Sequence, residues 1–214
     1  MSVIRQPGVL GRTTRRRVVG VTAAFSAAAV ETVTVGLWFW LVVGSRTTST
    51  ALVALGVLFC GSLLRTSIFG ATVGELETAL EPRRLGAALA LTTGWLVWLF
   101  LAERIDGEVG VLVATVALGA GLVLQFSLEQ RVFRPWSTDR ELLASVVPGA
   151  LLAAGAVVLL SSAWFVDWAI VTPPLSLGIT TLVIRIETIQ LAVLAFGLFA
   201  VVAHQRRFQR VLGG

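Results

Sequence analysis

The sequence predicts an all-α fold: a polytopic integral membrane protein, a bundle of six transmembrane helices with both termini cytoplasmic. Three observations carry that expectation. The chain is 56% hydrophobic and 14% charged over 214 residues, too apolar for a soluble domain of this size. Its apolar residues gather in runs of about 20, the length that crosses roughly 30 Å of hydrocarbon at about 1.5 Å per residue. Its arginines lie almost wholly between alternate runs.

The first span, Val18–Val43, opens like a secretory or twin-arginine signal, with Arg15, Arg16 and Arg17 ahead of an apolar run and small residues at Ala27–Ala29. Cleavage there would leave TVTVGLWFWLVV as an oily stub outside the cell, so an uncleaved helix is expected. The second span is Thr50–Val73, and its GATVG stretch, Gly70–Gly74, reads as a close helix-packing motif. Pro82 stands just before the third span, Leu85–Ala102, where its missing N–H does no harm. Asp106 and Gly107 predict a tight turn into the fourth span, Val109–Leu128. Thr138 and Glu141 have capping-box spacing ahead of the fifth, Leu142–Phe165, and Pro148 should kink that helix. Pro173 and Pro174 keep the next loop from being a plain helix before the sixth span, Ile179–Ala203. The expected organisation is a basic cytoplasmic tail over 1–17, one transmembrane domain over 18–203 and a second basic tail over 204–214.

Orientation follows from positive charge. Arg5, Arg12, Arg15, Arg16, Arg17, Arg83, Arg84, Arg131, Arg134, Arg140, Arg206, Arg207 and Arg210 all fall on one side, against Arg46 and Arg104 on the other. The richer side is expected to be cytoplasmic, in a cell membrane. Trp38, Trp40, Trp95, Trp98, Trp164 and Trp168 fall toward the outer ends of their spans, as an interfacial aromatic belt would. The arginines lie where topology needs them, so the basic balance points to no nucleic-acid partner. The expected partners are the bilayer, anionic lipids at the cytoplasmic face, and a second copy or another membrane protein.

The chemical inventory argues against an enzyme. One histidine (His204), one cysteine (Cys60) and no tyrosine leave no ligand set for a metal or haem, so no metal, cofactor or catalytic residue is expected. Asp106, Asp139 and Asp167 are isolated from one another, and no P-loop, GxSxG or HExxH occurs. His204 reads as an interfacial residue and Cys60 as a small buried one.

Four charges remain inside the spans: Glu31, Arg65, Arg185 and Glu187. An ionised group near the bilayer centre costs at least about 2.5 to 3.5 kcal/mol on insertion scales, so each needs a partner, water or neutralisation. Side chains lean toward the amino-terminal end of their helix. Arg65 therefore leans away from the nearer surface and toward the middle of the membrane, and Glu31, on an antiparallel neighbour, leans toward the same depth. A direct Glu31–Arg65 contact is the principal tertiary expectation. Arg185 can snorkel outward. On a helix it would point about 200° away from Glu187, so the two should serve different sides, with Glu187 and Gln190 on a polar line that could complete a Glu31–Arg65–Glu187 cluster. Small residues beside the charges (Ala24, Ala27, Ala28 and Thr34; Gly61 and Ser62) suggest either a polar cavity or close packing.

Glu31, Arg65, Glu187, Gln190 and Arg185 thus form the candidate substrate- or ion-binding site of a transporter- or channel-like protein. The alternative expectation is a non-catalytic structural or accessory subunit of a membrane assembly. Reporters that work only in the cytoplasm should be active when fused to either terminus and inactive near Pro173. Termini on opposite sides would remove one span and overturn this orientation.

Overall fold

The computed structural model describes residues 7–45, 47–73, 82–133, 141–176 and 178–213. They form α1 (Pro7–Gly44), α2 (Thr48–Val73), α3 (Pro82–Ile105), α4 (Gly107–Phe133), α5 (Glu141–Trp164), four short strands and α6 (Thr188–Gly213). Each of the six helices holds a stretch long and apolar enough to cross a membrane, which is compatible with a multi-pass membrane protein. Each packs on its neighbours in sequence, and α6 closes against α1 to complete a ring. The beginning of α1 and the end of α6 therefore share one end of the bundle, called here the terminus end; the strands lie at the other, the hairpin end.

The connections are local and chemically specified. Thr47 caps α2: its hydroxyl accepts the Thr50 N–H and the Thr50 hydroxyl accepts the Thr47 N–H, both at 3.2 Å, a reciprocal box with threonine in the place usually held by glutamate. As expected, α3 turns into α4 at Asp106 and Gly107, with φ of 61° and 63°. Aspartate tolerates this left-handed conformation because its side chain bonds locally, here by accepting the Gly107 N–H at 2.8 Å. Pro148 lies within an uninterrupted α5. Thr138, the other half of the expected capping box with Glu141, lies outside the described residues, as do Gly74 of the GATVG stretch and Asp139.

The last span differs from its expected place. Residues 181–187 are extended, not helical: β1 (Ala169–Val171) pairs antiparallel with β4 (Arg185–Glu187), and β2 (Leu175–Ser176) with β3 (Thr181–Leu182). Hydropathy sees an oily run either way, but Thr181, Val183, Ile184 and Ile186 are β-branched and favour the extended form. Pro173 and Pro174, which carry no N–H, stand between the two ladders and divide them. Helix α6 begins at Thr188, nine residues later than expected, so residues 204–213 are helix and not a free tail.

The interior has two zones. Toward the hairpin end, Trp38, Phe39, Trp95, Trp98 and Phe196 are fully buried and pack tilted or edge to face, with ring centroids 5.5 to 6.4 Å apart. The belt expectation therefore fails for Trp38, Trp95 and Trp98, which point inward; Trp40 and Trp168 are exposed. Cys60 is likewise exposed where burial was expected. Toward the terminus end the interior is polar.

Glycine sets how closely the helices approach. A β-carbon on Gly61 of α2 would run into the side chain of Thr34 on α1, whereas one on Gly56 would meet nothing within 4 Å. Gly61→Ala should lower stability by about 1 to 3 kcal/mol through overpacking, while Gly56→Ala should be neutral or slightly stabilising through helix propensity. Thermal unfolding of the two variants in detergent measures the difference; equal midpoints would remove this contact from the account of α1–α2 packing.

Candidate functional site

At the terminus end, four helices bring charged side chains to the axis of the ring. Glu31 of α1 and Arg65 of α2 meet, as expected: Arg65 Nη1 donates to Glu31 Oε1 at 3.4 Å. Arg65 Nη2 donates to Glu129 Oε1 of α4 at 3.1 Å. Glu129 also accepts from Arg207 of α6 through its other oxygen and from Gln125 Nε2, one helical turn back, at 3.0 Å. Glu31 Oε2 lies 2.6 Å from His204 Nε2. At that distance the two hydrogen-bond when the imidazole carries its proton on Nε2, the N–H donating to the carboxylate.

The result is a continuous chain, His204–Glu31–Arg65–Glu129–Arg207, of which no member is more than 3% exposed. With His204 neutral, the two carboxylates and two guanidiniums cancel. Aromatic faces complete the shell. The Arg207 guanidinium carbon is 3.9 Å from the ring centre of Phe69 and 4.6 Å from that of Phe126, and Arg65 approaches the same Phe126 ring at 5.3 Å. Such faces attract a cation without presenting a hydrogen-bonding group that would need its own partner.

Local sequence explains how each group arrives. On every contributing helix the charge continues the buried stripe: Ala24, Ala27, Ala28, Glu31, Val35 and Trp38 on α1; Leu58, Ser62, Arg65, Thr66 and Phe69 on α2; Leu118, Leu122, Gln125, Phe126 and Glu129 on α4; Phe196, Ala200, His204, Arg207 and Phe208 on α6. This is the spacing of one helical face. The hydroxyls of Ser62, Thr66 and Thr92 are turned back onto carbonyls of the preceding turn, so their protons are already used.

The other expected site residues lie elsewhere. Glu187 does not join the cluster; it is exposed at the hairpin end, roughly 25 Å along α6 from His204 at about 1.5 Å per residue. Arg185 and Glu187 do face the same way, contrary to the helical expectation, because residues two apart on a strand share a side. Their side chains meet at 3.8 Å while 67% and 54% exposed, a pair worth at most about 1 kcal/mol. Gln190 is exposed as well and serves the start of α6: its side-chain oxygen accepts the Glu187 N–H at 3.1 Å, half of a capping box.

His204 is the second correction, buried and bonded where an interfacial residue was expected. Glu129 and Arg207 stand beyond the ends of their expected spans, and Gln125, just inside the fourth, is uncharged, so the sequence reading does not single them out. Extending each helical stripe by one or two turns would have placed them on the buried face.

Beside Glu31 and Arg65 lies a cavity of about 10 Å³, near the least that holds a single water, walled also by Thr34, Val35, Leu58, Gly61, Ser62, Leu91 and Trp95. Among the described residues, no group of three or more histidine, cysteine or carboxylate side chains is placed to hold a metal ion. Comparison of the chain with protein-family models, with curated proteins and with solved structures gives no match.

The geometry ranks the cluster members. Glu129 holds two arginines, whereas Glu31 holds one arginine and a histidine that can rest neutral. Breaking a buried pair typically costs about 3 to 5 kcal/mol, so Glu129→Ala should lose the most stability and Glu31→Ala less, with Glu31→Ala/Arg65→Ala regaining part of the sum of its single losses. Melting midpoints in detergent measure this. An effect of Glu129→Ala no larger than that of the exposed Glu187→Ala would contradict the ranking.

Proposed function

We propose that this chain is a multi-pass cell-membrane protein with both termini cytoplasmic, of the transporter- or channel-like class. In this reading the Glu31–His204 pair holds the exchangeable proton of a proton-linked process. Arginine placement supports the orientation, which puts the ionic chain in the cytoplasmic half of the membrane and the aromatic zone in the outer half.

One observation carries the functional reading: a histidine nitrogen lies 2.6 Å from a carboxylate oxygen, inside a helix bundle, beside a cavity near the size of one water. Five ionisable side chains in one buried cluster are more than helix register requires, and an apolar core of the same shape would be no less stable. Ionisable groups retained in such a place mark proton relays and ion paths by default. Arg65 links the pair to Glu129, so a change of charge on Glu31 is felt along the whole chain. The size of the cavity favours a proton over a larger solute.

A second reading, the accessory subunit of a membrane assembly, is favoured by the completeness of the pairing. Each carboxylate oxygen has a partner and the formal charges cancel. Such a cluster can lock helices together without passing anything.

The two readings separate on Glu31→Gln, which keeps the shape of the side chain and removes its charge. The transporter-like reading expects a folded variant whose proton flux, followed with a pH dye in liposomes, falls at least tenfold below wild type. The accessory reading expects wild-type liposomes to pass no more than empty vesicles, with the variant losing stability or a co-purifying partner instead.

A further inference from the structure

The cavity beside Glu31 has walls of unusual chemistry. Two of its side chains, Arg65 and Trp95, each carry a buried N–H, at Nε and Nε1, that meets no acceptor among the described residues. Arg65 is 2% exposed and Trp95 0%. A buried donor left without an acceptor forfeits its full hydration, so native interiors almost always supply one. The same walls offer acceptors with capacity to spare. The Glu31 carboxylate oxygens accept one bond each from Arg65 and His204 and can take more. Ser62 Oγ donates to Leu58 O and, with the Thr92 proton spent on Ala88 O, keeps lone pairs free to accept.

We infer that this cavity is a binding site for one water molecule, which accepts from the Arg65 and Trp95 N–H groups and donates to Glu31. The chemistry excludes the other small occupants. A metal cation would face the Arg65 guanidinium and the Trp95 N–H, and an anion would face the Glu31 carboxylate. Water alone both donates and accepts, and the cavity volume is what one molecule needs. The water thereby links the Glu31 carboxylate to the Trp95 indole, and because the two N–H groups occupy both its lone pairs it is a fixed structural bridge that accepts no proton from the carboxylate. Occupancy of the site stands on the cavity and the two donors and is independent of the proton-linked reading above.

The bundle contains its own control. Trp98 Nε1 is also buried and without an acceptor among the described residues, but Trp98 does not wall the cavity. Protein labelled with nitrogen-15 in its tryptophan indoles and held in lipid nanodiscs should show a nuclear Overhauser cross-peak between water and the Trp95 indole N–H, and none from Trp98. The Trp95 signal is assigned by its loss in Trp95→Phe.

Leu91→Phe, which adds bulk to the cavity wall, should abolish the cross-peak while leaving the Trp98 indole signal in place. Absence of the wild-type cross-peak overturns the water site. Cross-peaks at both indoles overturn it too, because they mean general hydration of the interior. A cross-peak at Trp95 with no wild-type flux supports the water site and defeats the proton-linked reading. A Trp95 cross-peak that persists undiminished in Leu91→Phe overturns the assignment of the water to this cavity.

Discussion

The hold of Glu129 on two arginines is the interaction on which the arrangement of the other helices depends. Arg65 and Arg207 come from α2 and α6, and one carboxylate on α4 reaches both, so three helices that are not neighbours in the ring are tied across its axis. Arg65 then carries the tie to α1 through Glu31, and His204 returns it to α6. Van der Waals packing between apolar helices is permissive about rotation and sliding. A chain of ion pairs is not, because a displacement of a few ångströms leaves a charge unpaired in a low-dielectric interior.

The bundle divides its interior by the chemistry each half can tolerate. The hairpin half is filled by three tryptophans and two phenylalanines, which bury large area with few rotatable bonds and so make a rigid, dry zone. The terminus half holds the ionic chain. The two are joined where Trp95 and Glu31 both wall the same cavity, with glycine at position 61 letting α1 and α2 come close enough to shape it.

Arg185 and Glu187 show how much a change of secondary structure alters the meaning of charge. As parts of a helix they would be two buried, divergent groups in need of partners. As neighbours on one side of a short strand they satisfy each other in solvent, and the energetic problem that they pose in the sequence disappears. The extended conformation comes from β-branched residues whose oiliness is identical to that of a membrane helix. Only pairing with Ala169–Val171 distinguishes the two.

The sequence by itself determined the six long apolar helices, the turn at Asp106, the interruption near Pro173 and the meeting of Glu31 with Arg65. Each follows from a local rule: run length, left-handed tolerance of aspartate, the missing proline N–H, and the lean of side chains along antiparallel neighbours. Tertiary structure decided the rest of the site. Glu129, Arg207 and His204 stand at or past the ends of their hydrophobic runs, where charge ordinarily marks a helix leaving the apolar interior, and one-dimensional hydropathy assigns them to the surface. They are interior because opposite charges arrive from other helices at the same depth. That coincidence is a property of packing across the ring, and the spacing of residues within any one helix does not contain it.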